Sequence, residues 1–136
     1  MAAAQDILES QVASLTTKGL VARRFKINEQ TYVESTIQAP APPWDRSTYT
    51  ILVAVPVAYR VGAGLDGFYI QLPYKFNDGA HSKVNGATLV ADKRTFQLVS
   101  WHYADGKEWM QGQDTLETHL VHCRGFFFHR GARNAY

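Results

Sequence analysis

The 136-residue chain lacks several features that mark common classes of protein. It has one cysteine, Cys123, so an internal disulfide is excluded and nothing indicates secretion. No apolar run approaches the roughly 18 residues that a membrane-spanning helix requires. The N-terminus has neither the basic start nor the apolar core of a signal peptide. We therefore expect a cytoplasmic protein with no membrane partner.

Basic residues are too few and too scattered for a nucleic-acid-binding face. The formal net charge is only +2, and the one local cluster of arginines, Arg124, Arg130 and Arg133, lies near the C-terminus. No nucleic-acid partner is expected, because such a surface needs a denser basic patch. The sequence also has no phosphate-binding loop, dinucleotide fingerprint or metalloprotease signature, and we expect no cofactor.

The composition is that of a folded domain, with 46% hydrophobic and 19% charged residues. At 136 residues the chain can build one hydrophobic core, so we expect one domain over residues 1–136. Apolar spacing predicts a first helix over residues 4–18, with Asp6 near its N-cap and Gly19 as its stop. The apolar stripe of this helix is Leu8, Val12 and Leu15.

A second helix is predicted over residues 114–129, where Asp114 and Glu117 resemble a capping box. The apolar stripe of this helix is Leu116, Leu120, Cys123 and Phe127.

Between the two helices the apolar period changes to two, which is typical of strands. Strands are expected around residues 25–27, 32–37, 48–55 and 68–72. Residues 39–45 contain three prolines and are interpreted as an ordered surface connection in which Trp44 packs. An irregular segment at 77–86 is followed by a short hairpin or pair of extended pieces at 87–90 and 95–99. The pattern predicts an α+β fold with an N-terminal helix, a four-stranded antiparallel meander, an irregular segment and a C-terminal helix.

Cys123 is the first candidate nucleophile by residue type. A reactive thiolate needs exposure and an electropositive neighbourhood. Cys123 lies within the apolar stripe of the second helix, and free cysteines are among the most buried residues, so we interpret it as part of the core. His119 and Cys123 share a helix face as a metal-ligand pair would, whereas His122 is expected to point away from the core. A zinc site needs at least three ligands. The remaining histidines show no ligand spacing, so no metal site is expected.

Ser100 and His102 flank Trp101 at the end of the last predicted strand. Residues i and i+2 of an extended chain project to the same side, so the hydroxyl and imidazole can lie side by side. A histidine base is the usual activator of a serine nucleophile. The same residues also fit a polar turn in which His102 is merely hydrogen-bonded. Asp105 and Asp114 could orient a histidine, although turns and caps favour aspartate at both positions.

The order of elements and several short motifs resemble the ubiquitin-conjugating enzyme fold. Residues 55–59 are similar to the family's Phe-Pro-x-x-Tyr-Pro stretch, and residues 109–112 resemble the Trp-Ser-Pro-Ala that precedes the helix after its active site. The chain is more similar still to a divergent bacterial branch found with ubiquitin-like proteins, activating enzymes and JAB-type isopeptidases. The residues that match this branch are Tyr59, Asp66, Phe68, Tyr69, Ser100, His102, Trp109, Gly112, Asp114 and Leu116.

Two departures from the family change the expected site. The His-Pro-Asn motif is absent; residues 81–83 are its nearest remnant, and Asn85 could stand in for the lost amide. The acceptor cysteine before the tryptophan is also absent, and residues 100–102 occupy its region.

The resemblance implies a protein that accepts a ubiquitin-like protein from an activating enzyme, with the first helix as the contact to that enzyme. In one alternative, Ser100 carries the ubiquitin-like protein as an oxyester and His102 is the base. In the other, the protein is a non-catalytic binding partner of the activating enzyme or of the ubiquitin-like protein. The Ser–His pairing of the bacterial branch favours the enzyme.

Overall fold

The computed structural model describes residues 7–61, 63–103, 108–111 and 113–128. Asp6, Asp105, Gly112 and residues 129–136 lie outside this set. The elements in chain order are α1 (Ile7–Thr17), β1 (Ala22–Ile27), β2 (Gln30–Gln38), β3 (Thr48–Val55), a 3-10 helix (Val57–Val61), β4 (Phe68–Gln71), β5 (Val84–Ala91), β6 (Arg94–Val99) and α2 (Leu116–Phe128). The α+β class and the helix near each end are therefore confirmed. Neither helix of the described part is long and apolar enough to cross a membrane.

The strands form one six-stranded antiparallel sheet in the order β1-β2-β3-β4-β6-β5. The predicted four-stranded meander is thus incomplete: β1 to β4 do form a meander, and the β5–β6 hairpin extends the same sheet because β6 pairs with β4. The irregular segment also ends earlier than predicted, since β5 already begins at Val84. Asn85 and Gly86 have turn propensities, and they lie in an irregular part of β5, between the Val84–Val99 and Thr88–Gln97 pairs, where the register shifts.

Both helices pack on one face of the sheet. Helix α1 contributes Leu8 and Leu15, and Gly19, at a φ of +83°, ends it as predicted. The predicted stripe of α2 is buried in the same core: Leu116, Leu120, Cys123 and Phe127. Trp44 is only 1% exposed, and its Nε1–H donates to the Phe127 carbonyl at 3.0 Å. The prolyl connection at residues 39–45 is therefore packed against the core, as expected.

The N-terminus of α2 differs from the prediction, because the capping pair is displaced by one residue. The Thr118 N–H donates to Thr115 Oγ1 at 3.4 Å, and the Thr115 N–H donates to Thr118 Oγ1 at 2.8 Å. Thr115 and Thr118 therefore form the reciprocal capping box that was assigned to Asp114 and Glu117.

The opposite face of the sheet has its own small core and an ion-pair network beside it. The buried members of that core are Tyr32, Leu52, Ala91 and Phe96. Glu34 accepts two hydrogen bonds from Arg94 at 2.9 and 3.0 Å and one from Arg23 at 2.8 Å. Arg23 also donates to Asp92 at 3.0 Å, in the β5–β6 turn. The network therefore links β1 and β2 to β6 and the β5–β6 turn across the two strands between them, β3 and β4.

The Glu34 network makes stability depend on pH. Hydrogen bonds from Arg94 hold the pKa of the Glu34 carboxyl below its usual value. Its stabilising contribution is therefore present above the pKa of the unfolded chain and is lost as pH falls through the lower folded-state pKa. We expect Glu34→Gln to lower the free energy of unfolding by about 2 kcal/mol at neutral pH. The variant should also lose less stability than the wild type on acidification, as urea unfolding at a series of pH values measures.

Glu117→Gln is the matched control, because Glu117 pairs with Lys18 at 2.7 Å on the surface, with side-chain exposures of 44% and 53%. An exposed pair of this kind contributes at most about 1 kcal/mol. Identical acid dependence of stability in the wild type and in Glu34→Gln would contradict the assignment.

Candidate functional site

The last residue of β6 sets the position of the candidate site. Val99 pairs with Phe68 of β4 on one side and with Val84 of β5 on the other. Because both pairings are antiparallel, the residues after Val99 run beside those before Phe68 and those before Val84. Ser100 and His102 thereby lie at one end of the sheet, between the starts of β4 and β5, the two strands that flank β6.

Ser100 is held by the segment that leads into β5. Its N–H donates to the Lys83 carbonyl at 2.7 Å, and its Oγ–H donates to Asn85 Oδ1 at 2.7 Å. The Ser100 side chain is partly exposed. Asn85, the residue considered as a stand-in for the lost amide of the family motif, therefore contacts the candidate nucleophile directly.

His102 faces a different partner. Its Nδ1 lies 3.2 Å from both carboxylate oxygens of Asp66, and the two side chains are 52% and 61% exposed. Since a carboxylate only accepts, Nδ1 carries the proton in the neutral imidazole and Nε2 has the lone pair. The arrangement is that of a histidine oriented by an acid, which can receive a proton at Nε2.

Ser100 and His102 are neighbours in the chain, but no hydrogen bond joins their side chains in the described part of the structure. The expectation that they lie side by side assumed an extended chain. At Ser100 the chain instead makes a tight turn, in which the Trp101 N–H donates to the Val99 carbonyl at 3.0 Å.

Asp66 is the partner of His102 that the sequence did not identify. It was noted only as a motif residue, because 36 positions separate it from His102 and no local pattern connects them. Asp114, one of the two aspartates considered for this role, accepts from the Met110 N–H at 2.7 Å and from the Thr118 hydroxyl at 3.2 Å. The other, Asp105, lies outside the described residues.

A cavity of about 260 Å³ adjoins the His102–Asp66 pair. Its walls are formed by Gly64, Leu65, Asp66, His102, Tyr103, Glu108 and Trp109. Trp109 packs so closely on the Gly64 backbone that a Cβ at position 64 would lie 2.5 Å from Trp109 Cγ. The tryptophan ring also meets the edge of the Tyr59 ring, with centroids 5.9 Å apart. Of the two motif residues, Trp109 therefore forms part of the cavity wall, and Tyr59 packs against Trp109.

A buried histidine lies next to this cavity. His119 is 0% exposed; its Nδ1 is 2.7 Å from the Tyr103 hydroxyl and its Nε2 is 2.9 Å from the Gly67 carbonyl oxygen. A carbonyl only accepts, so Nε2 donates, and the Tyr103 hydroxyl donates to Nδ1 of the neutral ring. The sequence indicated His119 only as one half of a possible metal pair.

The remaining candidate residues of α2 are in the interior. Cys123 is 0% exposed, and burial raises the pKa of its thiol well above the usual value, so the core interpretation is confirmed. The expectation that His122 points away from the core is wrong. Its ring is 4% exposed and stacks on Tyr103, with centroids 3.9 Å apart, because the chain after Ser100 folds back over that side of α2. No group of side chains suitable for a metal ion occurs among the described residues.

Residues 7–127 match the family model described as prokaryotic E2 family E. The matched range includes all six strands, Ser100, His102 and Asp66. No curated protein and no solved structure shows a significant match.

The burial of Cys123 leads to an expected resistance to alkylation. Because the thiolate is disfavoured in the core, iodoacetamide at neutral pH should leave the folded protein unmodified and add one label after unfolding in guanidinium. Intact-mass spectrometry of both samples measures this. Rapid labelling of the folded chain would show that Cys123 is accessible.

Because Trp109 packs closely on Gly64, adding a methyl group at position 64 should reduce the stability of the protein. Gly64→Ala has to displace the ring, and we expect it to destabilise the protein by about 1 to 3 kcal/mol. Gly79→Ala is the control, because a Cβ there meets its nearest neighbour at an ordinary 3.9 Å. Thermal unfolding and tryptophan emission measure both variants; equal stability of the two would contradict the described contact.

Proposed function

Because the chain belongs to prokaryotic E2 family E and so has an E2-like role in conjugation, we propose that it accepts a ubiquitin-like protein from an E1-like activating enzyme as an oxyester on Ser100. One observation carries this proposal: the Ser100 hydroxyl is partly exposed and hydrogen-bonded to Asn85, whereas the single cysteine is buried. The proposed partners are thus the activating enzyme and the ubiquitin-like protein. By family analogy alone, residues 1–136 act as one cytoplasmic domain and α1 contacts the activating enzyme.

The proposed transfer exchanges a thioester for an oxyester. Ser100 Oγ attacks the carbonyl carbon at the C-terminus of the ubiquitin-like protein, which is joined to a cysteine of the activating enzyme. A C–O bond forms, the C–S bond breaks, and the activating enzyme's cysteine leaves as a thiolate. The hydroxyl proton moves to His102 Nε2, and Asp66 stabilises the resulting imidazolium through Nδ1.

Asn85 has two roles in this proposal. Its Oδ1 holds the Ser100 hydroxyl before the reaction, and its amide N–H groups are donors for the negative charge that develops on the carbonyl oxygen. His102 has to reach the hydroxyl proton directly or through one water, as is common for bases whose hydrogen bonds tighten only when substrate is bound.

A second function is favoured by one specific observation. The Ser100 hydroxyl donates to the amide oxygen of Asn85, which cannot act as a base. The His102 side chain hydrogen-bonds to Asp66 instead of Ser100. A protein with this arrangement could bind the activating enzyme or the ubiquitin-like protein without any covalent step.

The test is incubation with ATP and with the E1-like enzyme and ubiquitin-like protein of the same genome, followed by intact-mass spectrometry. We expect an adduct that hydroxide cleaves and thiols do not.

Ser100→Ala should abolish this adduct, and Ser100→Cys should convert it into a thiol-labile thioester. Asp66→Asn should slow its formation about 100-fold, because the base is no longer oriented. Ser82→Ala is the matched control at a nearby exposed serine and should behave as wild type.

Two outcomes would decide against the oxyester. An adduct that persists in Ser100→Ala but is lost in Cys123→Ala would move the acceptor to the buried cysteine. A stable complex with either partner, without any covalent mass shift, would establish the non-catalytic function instead.

A further inference from the structure

We propose that His119 is the positioning residue that holds His102 and Asp66 against each other, an inference that rests on the proposed function of Ser100 and His102. Tyr103 directly follows His102 in the chain, and Gly67 directly follows Asp66. The two ring nitrogens of His119 hydrogen-bond to these two successors, Nδ1 to the Tyr103 hydroxyl and Nε2 to the Gly67 carbonyl. It therefore joins the two chain segments that present the base and its acid.

The exposed His102–Asp66 contact is too weak to hold the two side chains in one relative orientation by itself. His102 and Asp66 are 52% and 61% exposed, and an exposed ion pair contributes at most about 1 kcal/mol. The hydrogen bonds of His119, at 2.7 Å to Tyr103 and 2.9 Å to Gly67, lie in the interior, where His119 is 0% exposed. Buried hydrogen bonds are costly to break, since their groups would lose their partners away from water. The distance between the two segments is thus fixed by the buried imidazole ring of His119, which bridges them.

The orientation of the His119 ring is determined by its partners. The Gly67 carbonyl can only accept, so Nε2 must donate and Nδ1 of the neutral ring accepts from Tyr103. The segment is held to α2 at two further points. Tyr103 stacks on His122 at a centroid distance of 3.9 Å, and the Trp101 Nε1–H donates to the His122 carbonyl at 2.9 Å. A His119 ring turned over in the same tautomer would place the lone pair of Nδ1 against the Gly67 carbonyl oxygen, which can only accept.

The reactivity of Ser100 should therefore depend on His119, although His119 is proposed to act only through His102 and Asp66. Misplacement of a catalytic group by about 1 Å can reduce a rate about 100-fold. Replacement of His119 by phenylalanine keeps the ring volume and removes both hydrogen bonds, so Asp66 would no longer be held at His102.

The first readout is acetylation of Ser100 by p-nitrophenyl acetate, followed by peptide mass spectrometry with Ser100→Ala as the baseline. We expect His119→Phe and Tyr103→Phe each to slow acetylation about 10- to 100-fold. The double variant should be little slower than either single one, because both remove the same link. Cys123→Ala, which alters the core of α2 without touching this link, is the matched control and should keep the wild-type rate. His119→Gln should recover part of the rate, because its amide offers one donor and one acceptor.

The second readout is nitrogen-15 NMR of the histidine rings, which a merely structural role would not move. In the wild type we expect His119 to be the tautomer protonated at Nε2. The His102 ring signals should shift in His119→Phe in the same direction as in Asp66→Asn, and should stay unchanged in Cys123→Ala. If His119→Phe does not fold, Tyr103→Phe and His119→Gln provide the same comparison.

The outcomes separate this inference from the proposed function. Wild-type acetylation rates and unchanged His102 signals in folded His119→Phe or Tyr103→Phe would overturn the positioning role. If the wild type is not acetylated at Ser100, the proposed function fails, and the comparison of His102 signals still decides whether His119 holds the pair.

Discussion

The double pairing of Val99 is the constraint on which the site depends. Its pairing with Phe68 brings the segment before β4 next to the residues after β6, and its pairing with Val84 brings in the start of β5. Asp66 and Asn85 reach His102 and Ser100 only through these two registers. A slip of one residue would turn the paired side chains to the opposite face of the sheet. The order β4-β6-β5 is thus a condition for the proposed chemistry as well as for the fold.

Burial decides which nucleophile is available. Cys123 lies in the core under the aromatic packing of α2, where a thiolate would have to form away from water. Ser100 lies at a sheet corner with its hydroxyl already bound to an amide. A serine nucleophile needs a base, which an exposed cysteine can often do without, and in the proposed reaction the His102–Asp66 pair supplies that base. The loss of an exposed thiol and the presence of an oriented histidine are consistent features of one site.

The Glu34 network and the candidate site differ in which of their polar groups are shielded from water. On one face of the sheet, Arg94 binds Glu34 through two parallel hydrogen bonds, with side-chain exposures of only 25% and 17%. At the candidate site, the side chains of His102 and Asp66 are exposed, and the group proposed to support them is the buried His119. The difference follows from their roles. Attraction within a structural ion pair is screened less where water is partly excluded, whereas the proposed base has to be reachable from the substrate complex.

The sequence by itself determined the parts of this protein that depend on local periodicity. Spacing of apolar residues located both helices and the strand at Thr48–Val55, and it placed Cys123 in the core; short motifs then indicated the family. Only the tertiary structure decided that β6 lies between β4 and β5, that Asp66 faces His102, and that His122 is covered by the chain after Ser100. These features depend on pairing between residues far apart in the chain, and a periodic pattern carries no information on which distant segment will cover a given face.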